Sequence, residues 1–425
     1  MSNSPVHTRS SRAVEQLLRY TRLGRQLGLG RVLIEDDEFH GDTIVLRGHE
    51  VGNFGLCSYL GLGDDPRLIE AAVDAVNRYG NSYSSSTAYT ALPLYGDLRE
   101  RFEAMLDAPV VITASTTLAH MSALPVLVRE GDTVAIDAHA HASLLGVIPS
   151  LSANGATVHR LPHSDLETLD RLAGDAAGRT WYLFDGLYSM QGVAAPAEDL
   201  RAMLDRHEDL WLYCDDAHSF GWSGRHGRGQ FLERAGWHER IVMTYGLAKS
   251  FGTMGGIVAN PDAELMELIE TTGGPMIFGG PLPPGTLGAS IASADIHLSD
   301  ELPGLQEELM ERIRLVNRLS EELELPLARR EETPLWFCEI GPALSTISVG
   351  VSMLEKGYFL NVALFPAVPR NEGGVRFTVT RYNSPDQIEE MLSTLNEVRL
   401  AHEDGERLID LTALENQPAI DSTER

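Results

Sequence analysis

Between residues 109 and 245, short runs rich in β-branched and aromatic residues alternate with stretches of helical periodicity, and this alternation leaves few architectures open. The β-rich runs are 109–113, 133–137, 156–160, 180–184, 210–215 and 241–245, and helix-like segments lie at 118–129, 143–151, 165–172 and 197–206. Such a pattern predicts a mostly parallel sheet with helices on both faces. Ligands of such sheets bind beyond the carboxyl ends of the strands. The residues best equipped for chemistry fall at those ends: Ser115 and Thr116, His139 and His141, Asp185, Asp215, and Lys249 just past the last strand. After Gly280-Pro281-Leu282-Pro283-Pro284 the pattern changes to a long helical region at 302–323, short strands and a final helix near 385–397. That change marks a smaller C-terminal domain.

At 425 residues and 43% apolar, the chain can bury a sizeable core in two subdomains. It contains no run of 18 apolar residues and no secretory h-region, so neither a membrane span nor export is expected. Cys57, Cys214 and Cys338 are odd in number, far apart and not at metal-ligand spacing. They imply a reducing cytoplasm, no disulfide framework and no metal. A net charge of −27 argues against nucleic acid and anionic membranes as partners. The charge is uneven, because Arg9, Arg12, Arg19, Arg22, Arg25 and Arg31 face only Glu15 near the N-terminus. A helix near 14–27 would present arginines beside Leu17, Leu18, Leu23 and Leu27, either as an arm packed on a dimer partner or as a docking patch for an acidic ligand. From His402 onward the chain is acidic, and a frayed tail is expected.

Only two residues are lysine, Lys249 and Lys356; the other 32 of the 34 basic residues are arginine. Lysine can lose its proton, attack an aldehyde and hold it as a Schiff base, which arginine cannot. Lys356, in Glu355-Lys356-Gly357, reads as the polar end of an amphipathic helix, whereas Lys249 lies among small residues and glycines in Gly246-Leu247-Ala248-Lys249-Ser250-Phe251-Gly252. Thirty-four residues before it, Asp215-Asp216-Ala217-His218 leaves a strand for a Gly-rich loop. Alone this pair is equally a metal pair or a capped turn; beside a Schiff-base lysine it suits a pyridine cofactor, with Asp215 keeping the ring nitrogen protonated and His218 near the ring oxygen or a substrate carbonyl. Thr113-Ala114-Ser115-Thr116-Thr117-Leu118 opens a helix, where backbone N–H groups suit a phosphate and Ser115 suits an N-cap. His139 and His141 follow another strand, and one of them could stack on a flat ring.

Together with Tyr59-Leu60-Gly61-Leu62, His141-Ala142-Ser143-Leu144-Leu145, Tyr188-Ser189-Met190-Gln191-Gly192, Gly227-Arg228-Gly229, Phe365-Pro366-Ala367-Val368-Pro369 and Arg376, these stretches resemble the α-oxoamine synthase family of pyridoxal-phosphate enzymes from about Phe54 to Val398. The resemblance implies an α/β fold, fold type I of the pyridoxal-phosphate-dependent transferases: a large domain with a mostly parallel seven-stranded sheet between helices, plus a smaller α+β C-terminal domain. The expected divisions are an N-terminal arm at 1–55, a large cofactor-binding domain at 56–300, a small domain at 301–400 and an acidic tail at 401–425. The implied cofactor is pyridoxal 5'-phosphate, held by Lys249 as a Schiff base. His141 would stack on its ring, Asp215 would pair with its nitrogen and Ala217 would cover the other face. Ser115 and Thr116, helped by Thr244, would hold the phosphate; Ser189 and His218 would bond around the ring oxygen and substrate; Arg376 would grip the amino-acid carboxylate. The implied reaction joins an amino acid to an acyl thioester, loses carbon dioxide and releases a 2-aminoketone, in a cytoplasmic homodimer with active sites at the interface. Transamination and carbon–carbon cleavage are the alternatives on the same fold.

The departures from the family cluster on the substrate side. Tyr83-Ser84-Ser85-Ser86-Thr87-Ala88-Tyr89 stands where a Gly-rich stretch with arginine is usual, which makes Tyr83 and Ser86 the substrate-side candidates, and Tyr95 replaces a histidine. Cys57 replaces an asparagine, Phe278-Gly279-Gly280-Pro281 lacks a hydroxyl expected from the neighbouring subunit, and the threonine usual three residues before the lysine is replaced by Gly246. Autoinducer synthases of the family share the Ala-Lys-Ser-Phe form. With that arginine gone, the thioester is carried either by coenzyme A or by a carrier protein; the acidic surface disfavours an acidic carrier unless the arginine-rich arm docks it.

Overall fold

The computed structural model describes residues 12–365, 367–369 and 371–403. Arg9 and residues 404–425, to which the docking-arm and frayed-tail expectations extend, lie outside them. The chain forms two compact units, Cys57–Met310 and a second that combines Met1–Leu56 with Glu311–Arg425.

The second unit opens with α1 (Arg12–Leu27), where the arginine-rich helix was expected, and a hairpin of β1 (Thr43–Leu46) and β2 (His49–Asn53). Leu46 pairs with His49 across a two-residue turn, and both turn residues, Arg47 and Gly48, have positive φ (55° and 76°). That is the type I′ geometry which matches the twist of paired strands.

The larger unit begins with α2 (Pro66–Tyr79) and α3 (Pro93–Leu106), each with proline in its first turn, where its missing N–H is no loss. Strand and helix then alternate: β3 (Val110–Thr113), α4 (Thr116–Leu127), β4 (Thr133–Asp137), α5 (Ala142–Ala153), β5 (Thr157–Leu161), α6 (Leu166–Asp175), β6 (Thr180–Asp185), α7 (Ala197–Arg206), β7 (Leu210–Asp215), α8 (Gln230–Ala235), β8 (Ile241–Gly246) and β9 (Gly256–Ala259). Three helices follow, α9 (Ala263–Thr272), α10 (Gly274–Phe278) and α11 (Pro284–Leu298). The sheet has seven strands in the order β3-β9-β8-β7-β6-β4-β5, parallel except for β9, which runs antiparallel to both neighbours.

The expected strands all form, with edges moved by a residue; β9 was not anticipated. Because both faces of the sheet are covered, β6 and β8 are buried along their whole length. Alternate residues feed two cores. Tyr182, Phe184, Leu212, Cys214 and Met243 pack with α3, α7 and α8 on one face; Trp181, Leu183, Tyr213 and Val242 pack with α4 and α5 on the other. This parity decides which helix each active-site carboxylate meets.

The division between the units falls within α12 (Leu302–Glu322), and the second unit resumes with β10 (Leu335–Gly341), α13 (Ala343–Glu355), β11 (Tyr358–Phe359), β12 (Asn361–Ala363), β13 (Gly373–Thr378) and α14 (Pro385–Glu403). Its two three-stranded sheets run β1-β2-β11 and β10-β13-β12. Lys356 caps α13, as its amphipathic pattern predicts, and its ammonium lies 3.0 Å from Glu397.

Candidate active site

Asp215 ends β7 and shares the parity of Tyr213, so its carboxylate points to the face covered by α4. There His120, one turn into that helix and fully buried, places Nε2 3.0 Å from Asp215 Oδ2 and Nδ1 3.1 Å from the Tyr213 hydroxyl. Asp215 Oδ1 accepts the Ala217 N–H at 3.1 Å. Burial opposes ionisation of Asp215, but the His120 hydrogen bond and the nearby Lys249 and His141 hold its carboxyl well below the usual carboxylate range.

Asp185 ends the neighbouring strand in register with Asp215. Burial and the Asp215 charge push its carboxyl well above the ordinary value, although Oδ1 accepts the His141 N–H at 3.0 Å. The pKa values of the two adjoining carboxyls are thus driven apart, that of Asp215 down and that of Asp185 up, as in sites that assign different roles to paired acids.

His141 caps α5; Nδ1 lies 2.7 Å from the Ser143 hydroxyl and accepts the Ser143 N–H at 3.3 Å. Burial lowers the His141 pKa, the nearby Asp215 partly opposing this and Lys249 adding to it, which favours a neutral, stackable imidazole. His218 bonds through Nδ1 to the Tyr59 hydroxyl at 2.9 Å, and its carbonyl accepts Trp222 Nε1 at 2.7 Å. Ser115 is the N-cap of α4, its hydroxyl accepting the Leu118 N–H at 3.2 Å, so the capping expectation holds. The N–H groups of Thr116 and Thr117 open the same turn, where the residues four back belong to β3 and offer no helical carbonyl.

Lys249 lies, partly exposed, in the loop joining β8 to β9. Gly252 turns that loop at φ +80°, and a Cβ on it would meet the Leu62 carbonyl carbon at 2.8 Å. Gly246, three residues before the lysine, is closely packed: a Cβ there would sit 2.8 Å from the Thr116 hydroxyl and 3.1 Å from the Ala217 methyl. Beside Lys249 lies an open cleft of about 470 Å³ lined by Ser58, Leu68, Ile69, Ala72, Met254 and Thr286, among others.

Two expected ligands are otherwise engaged. Thr244 is fully buried and its hydroxyl donates to the Cys214 carbonyl at 3.0 Å, stapling β8 to β7 rather than facing a phosphate. Ser86 donates to the Ile277 carbonyl, and Thr87 to that of Met276 at 2.9 Å, so these hydroxyls fasten the 83–89 loop to α10 instead of offering themselves to substrate. Tyr83 lies partly buried beside Tyr95, whose phenol accepts the Leu282 N–H at 2.8 Å. Ser189 is half-buried in the turn closed by the Leu187–Ala194 bridge. Arg376 belongs to the other unit, on β13, where it is buried and donates to Asn361 Oδ1 at 3.1 Å.

His120, Tyr59 and Asp216 were missed from the sequence. A histidine inside the apolar run Leu118-Ala119-His120-Met121 demands a buried partner, and that was the signal available. Asp216 lies under Gly186 and Gly229; burial, opposed by bonds from Ser219 and the Phe231 N–H, pushes its carboxyl up to about 7.

Residues 50–395 match the family described as aminotransferase class I and II. The chain is 32% identical over 381 residues to 8-amino-7-oxononanoate synthase of Symbiobacterium thermophilum, covering 88% of this chain and 95% of that one. Against the enzyme of the same name from Azoarcus sp. it is 32% identical over 360 residues, covering 84% and 89%. Among solved structures it is similar to serine palmitoyltransferase of Sphingomonas wittichii, with TM-score 0.84 at 20% identity over 93% of this chain and 98% of that one. It is also similar to 8-amino-7-oxononanoate synthase of Francisella tularensis, with TM-score 0.71 at 20% identity over 83% and 99%.

Proposed function

The chain belongs to the aminotransferase class I and II family, in its α-oxoamine synthase branch, and from that premise we propose that it condenses an amino acid with an acyl thioester, with loss of carbon dioxide, to give a 2-aminoketone. It is a pyridoxal-phosphate-dependent acyltransferase. The observation that carries the reading is one cluster in one unit: an accessible lysine, an ionised buried aspartate, a capping histidine and a helix N-terminus, all at the carboxyl end of the parallel strands.

The residues present suit pyridoxal phosphate. Asp215 would accept from its nitrogen, the His141 imidazole would stack on its flat ring, and Ala217 would cover the other face. Ser115 and Thr116 would hold the phosphate through backbone N–H groups at the start of α4. The usual threonine hydroxyl is missing at Gly246, but the Thr116 hydroxyl, whose bond to the Tyr245 carbonyl is a long 3.4 Å against the 3.0 Å of Thr244, stands 2.8 Å from where that residue's Cβ would be. We assign Thr116 the task of the absent threonine. Ser189 and His218 are assigned to the ring oxygen and substrate, with Tyr59 fixing the His218 ring.

When bound, the cofactor supplies an electron sink for the pair left on Cα as a proton or carboxylate departs. Lys249 would hold the cofactor through its aldehyde carbon, and its amine would take and return the Cα proton. An arginine's planar fork would fix the amino-acid carboxylate and so decide the Cα bond that breaks, a role the family resemblance gives to Arg376. We favour coenzyme A as carrier, because the protein's net charge of −27 slows association with an acidic carrier protein. The exposed Ile69 and Met254 beside the lysine support a homodimer in which a second copy covers the cleft. Three cysteines, none in a disulfide, support a cytoplasmic setting, and no helix among the described residues is long and apolar enough to cross a membrane.

The test is the visible spectrum of the purified protein after adding pyridoxal phosphate. A band that shifts with one of glycine, alanine, serine or threonine, and changes again with acyl-CoA, is expected. A band that ignores the thioester and bleaches to the amine form of the cofactor would point to an aminotransferase.

A further inference from the structure

We propose that His120 is a positioning residue: with Tyr213 it forms a donor chain that makes Asp215, rather than the adjoining Asp185, the acceptor for the cofactor nitrogen. The inference rests on the reading of Asp215 as the nitrogen's partner.

The chain of donors follows from sheet parity. Tyr213 and Asp215 are two residues apart on β7 and lie on the same face, so both point at α4. One imidazole spans them, with 3.1 Å to the phenol and 3.0 Å to the carboxylate, and all three side chains are at least nine-tenths buried. A carboxylate only accepts, so Nε2 carries the hydrogen that meets Asp215, and Nδ1 accepts from the Tyr213 hydroxyl. Asp185, by contrast, receives a backbone N–H from His141. Two carboxyls in register on adjacent strands do not both ionise cheaply in a buried site. The one given a side-chain donor keeps the charge, and that donor is His120. Lys249 and His141 also bear on both carboxyls, and Asp137 bears on Asp185. These groups surround the pair, but among the described side chains His120 is the one that hydrogen-bonds Asp215.

Two substitutions at His120 separate this role from packing. His120→Gln keeps an N–H donor at the position of Nε2 but loses the ring; His120→Phe keeps the ring but loses both nitrogens. If His120 acts as a donor, Gln binds pyridoxal phosphate within a few-fold of the parent, while Phe binds about 10- to 100-fold more weakly, the loss typical of one charge-assisted hydrogen bond. The pH at which the visible band of the loaded protein titrates also moves in Phe and stays in Gln. Tyr213→Phe, which releases Nδ1, moves it in the same direction by less. The opposite order, Phe like the parent and Gln impaired, or equal impairment in both, overturns the proposal for His120. Asp215→Asn is measured alongside: parent cofactor affinity and a parent band titration in it undo the underlying reading, independently of His120.

Discussion

A lysine in a chain whose other cations are almost all arginine is a residue-scale signal, and its test is a substitution that keeps charge but not chemistry. Lys249→Arg cannot form a carbon–nitrogen double bond to an aldehyde, so the visible band seen with pyridoxal phosphate should vanish and turnover should fall at least about a thousandfold, as for loss of a covalent group. The phosphate side has its own test. Thr116→Val should weaken cofactor binding by about tenfold, the cost of one hydrogen bond to a charged group. Moving the hydroxyl to the strand, in the pair Thr116→Gly and Gly246→Thr, should recover most of it; failure to recover would place the Thr116 hydroxyl elsewhere. Lys249, Asp215 and the Ser115–Thr116 turn were legible as candidates because each is a chemical group at a strand end. Thr244 and Ser86 were misleading for the same reason: spacing shows a hydroxyl near a site, not which carbonyl has already taken its proton.

At the scale of elements, the six expected strands could be read because residues covered on both faces form continuous apolar runs. Gly256-Ile257-Val258-Ala259 escaped because it runs straight on from the glycine-rich loop at Gly252-Thr253-Met254-Gly255, whose turn signals mask its start. α2 and α3 were also unread, although Asp65-Pro66 is an N-cap followed by proline. The turn after β7 carries a prediction. Asp216 holds its proton in the fold up to about 7, whereas its ordinary value is 3.8. Stability from the protonated form is therefore complete below about pH 4 and is lost as pH rises through about 7. The denaturation midpoint should fall between about pH 4 and pH 7, and Asp216→Asn should flatten that fall. An equally steep fall in the variant would show that other groups cause it.

Across the whole molecule, the acidic surface and the apolar cleft argue for different partners. Ile69 is 52% exposed and Met254 57% exposed, and both line the cleft beside Lys249. Scattered exposed apolar residues are ordinary, but a pair lining an active-site cleft suits a covering surface. Ile69→Glu should shift the protein from dimer to monomer in light scattering and loosen the retained cofactor; an unchanged mass would argue against the second copy as the cover. The central claim is a condensation that consumes a thioester and expels carbon dioxide. The most direct test incubates the pyridoxal-phosphate-loaded protein with an amino acid labelled at its carboxylate and an acyl-CoA, and measures released carbon dioxide and free thiol together. Equal yields of both, each dependent on the other substrate, are the predicted result. Carbon dioxide without thiol, or a 2-oxo acid formed with no thioester present, would contradict it.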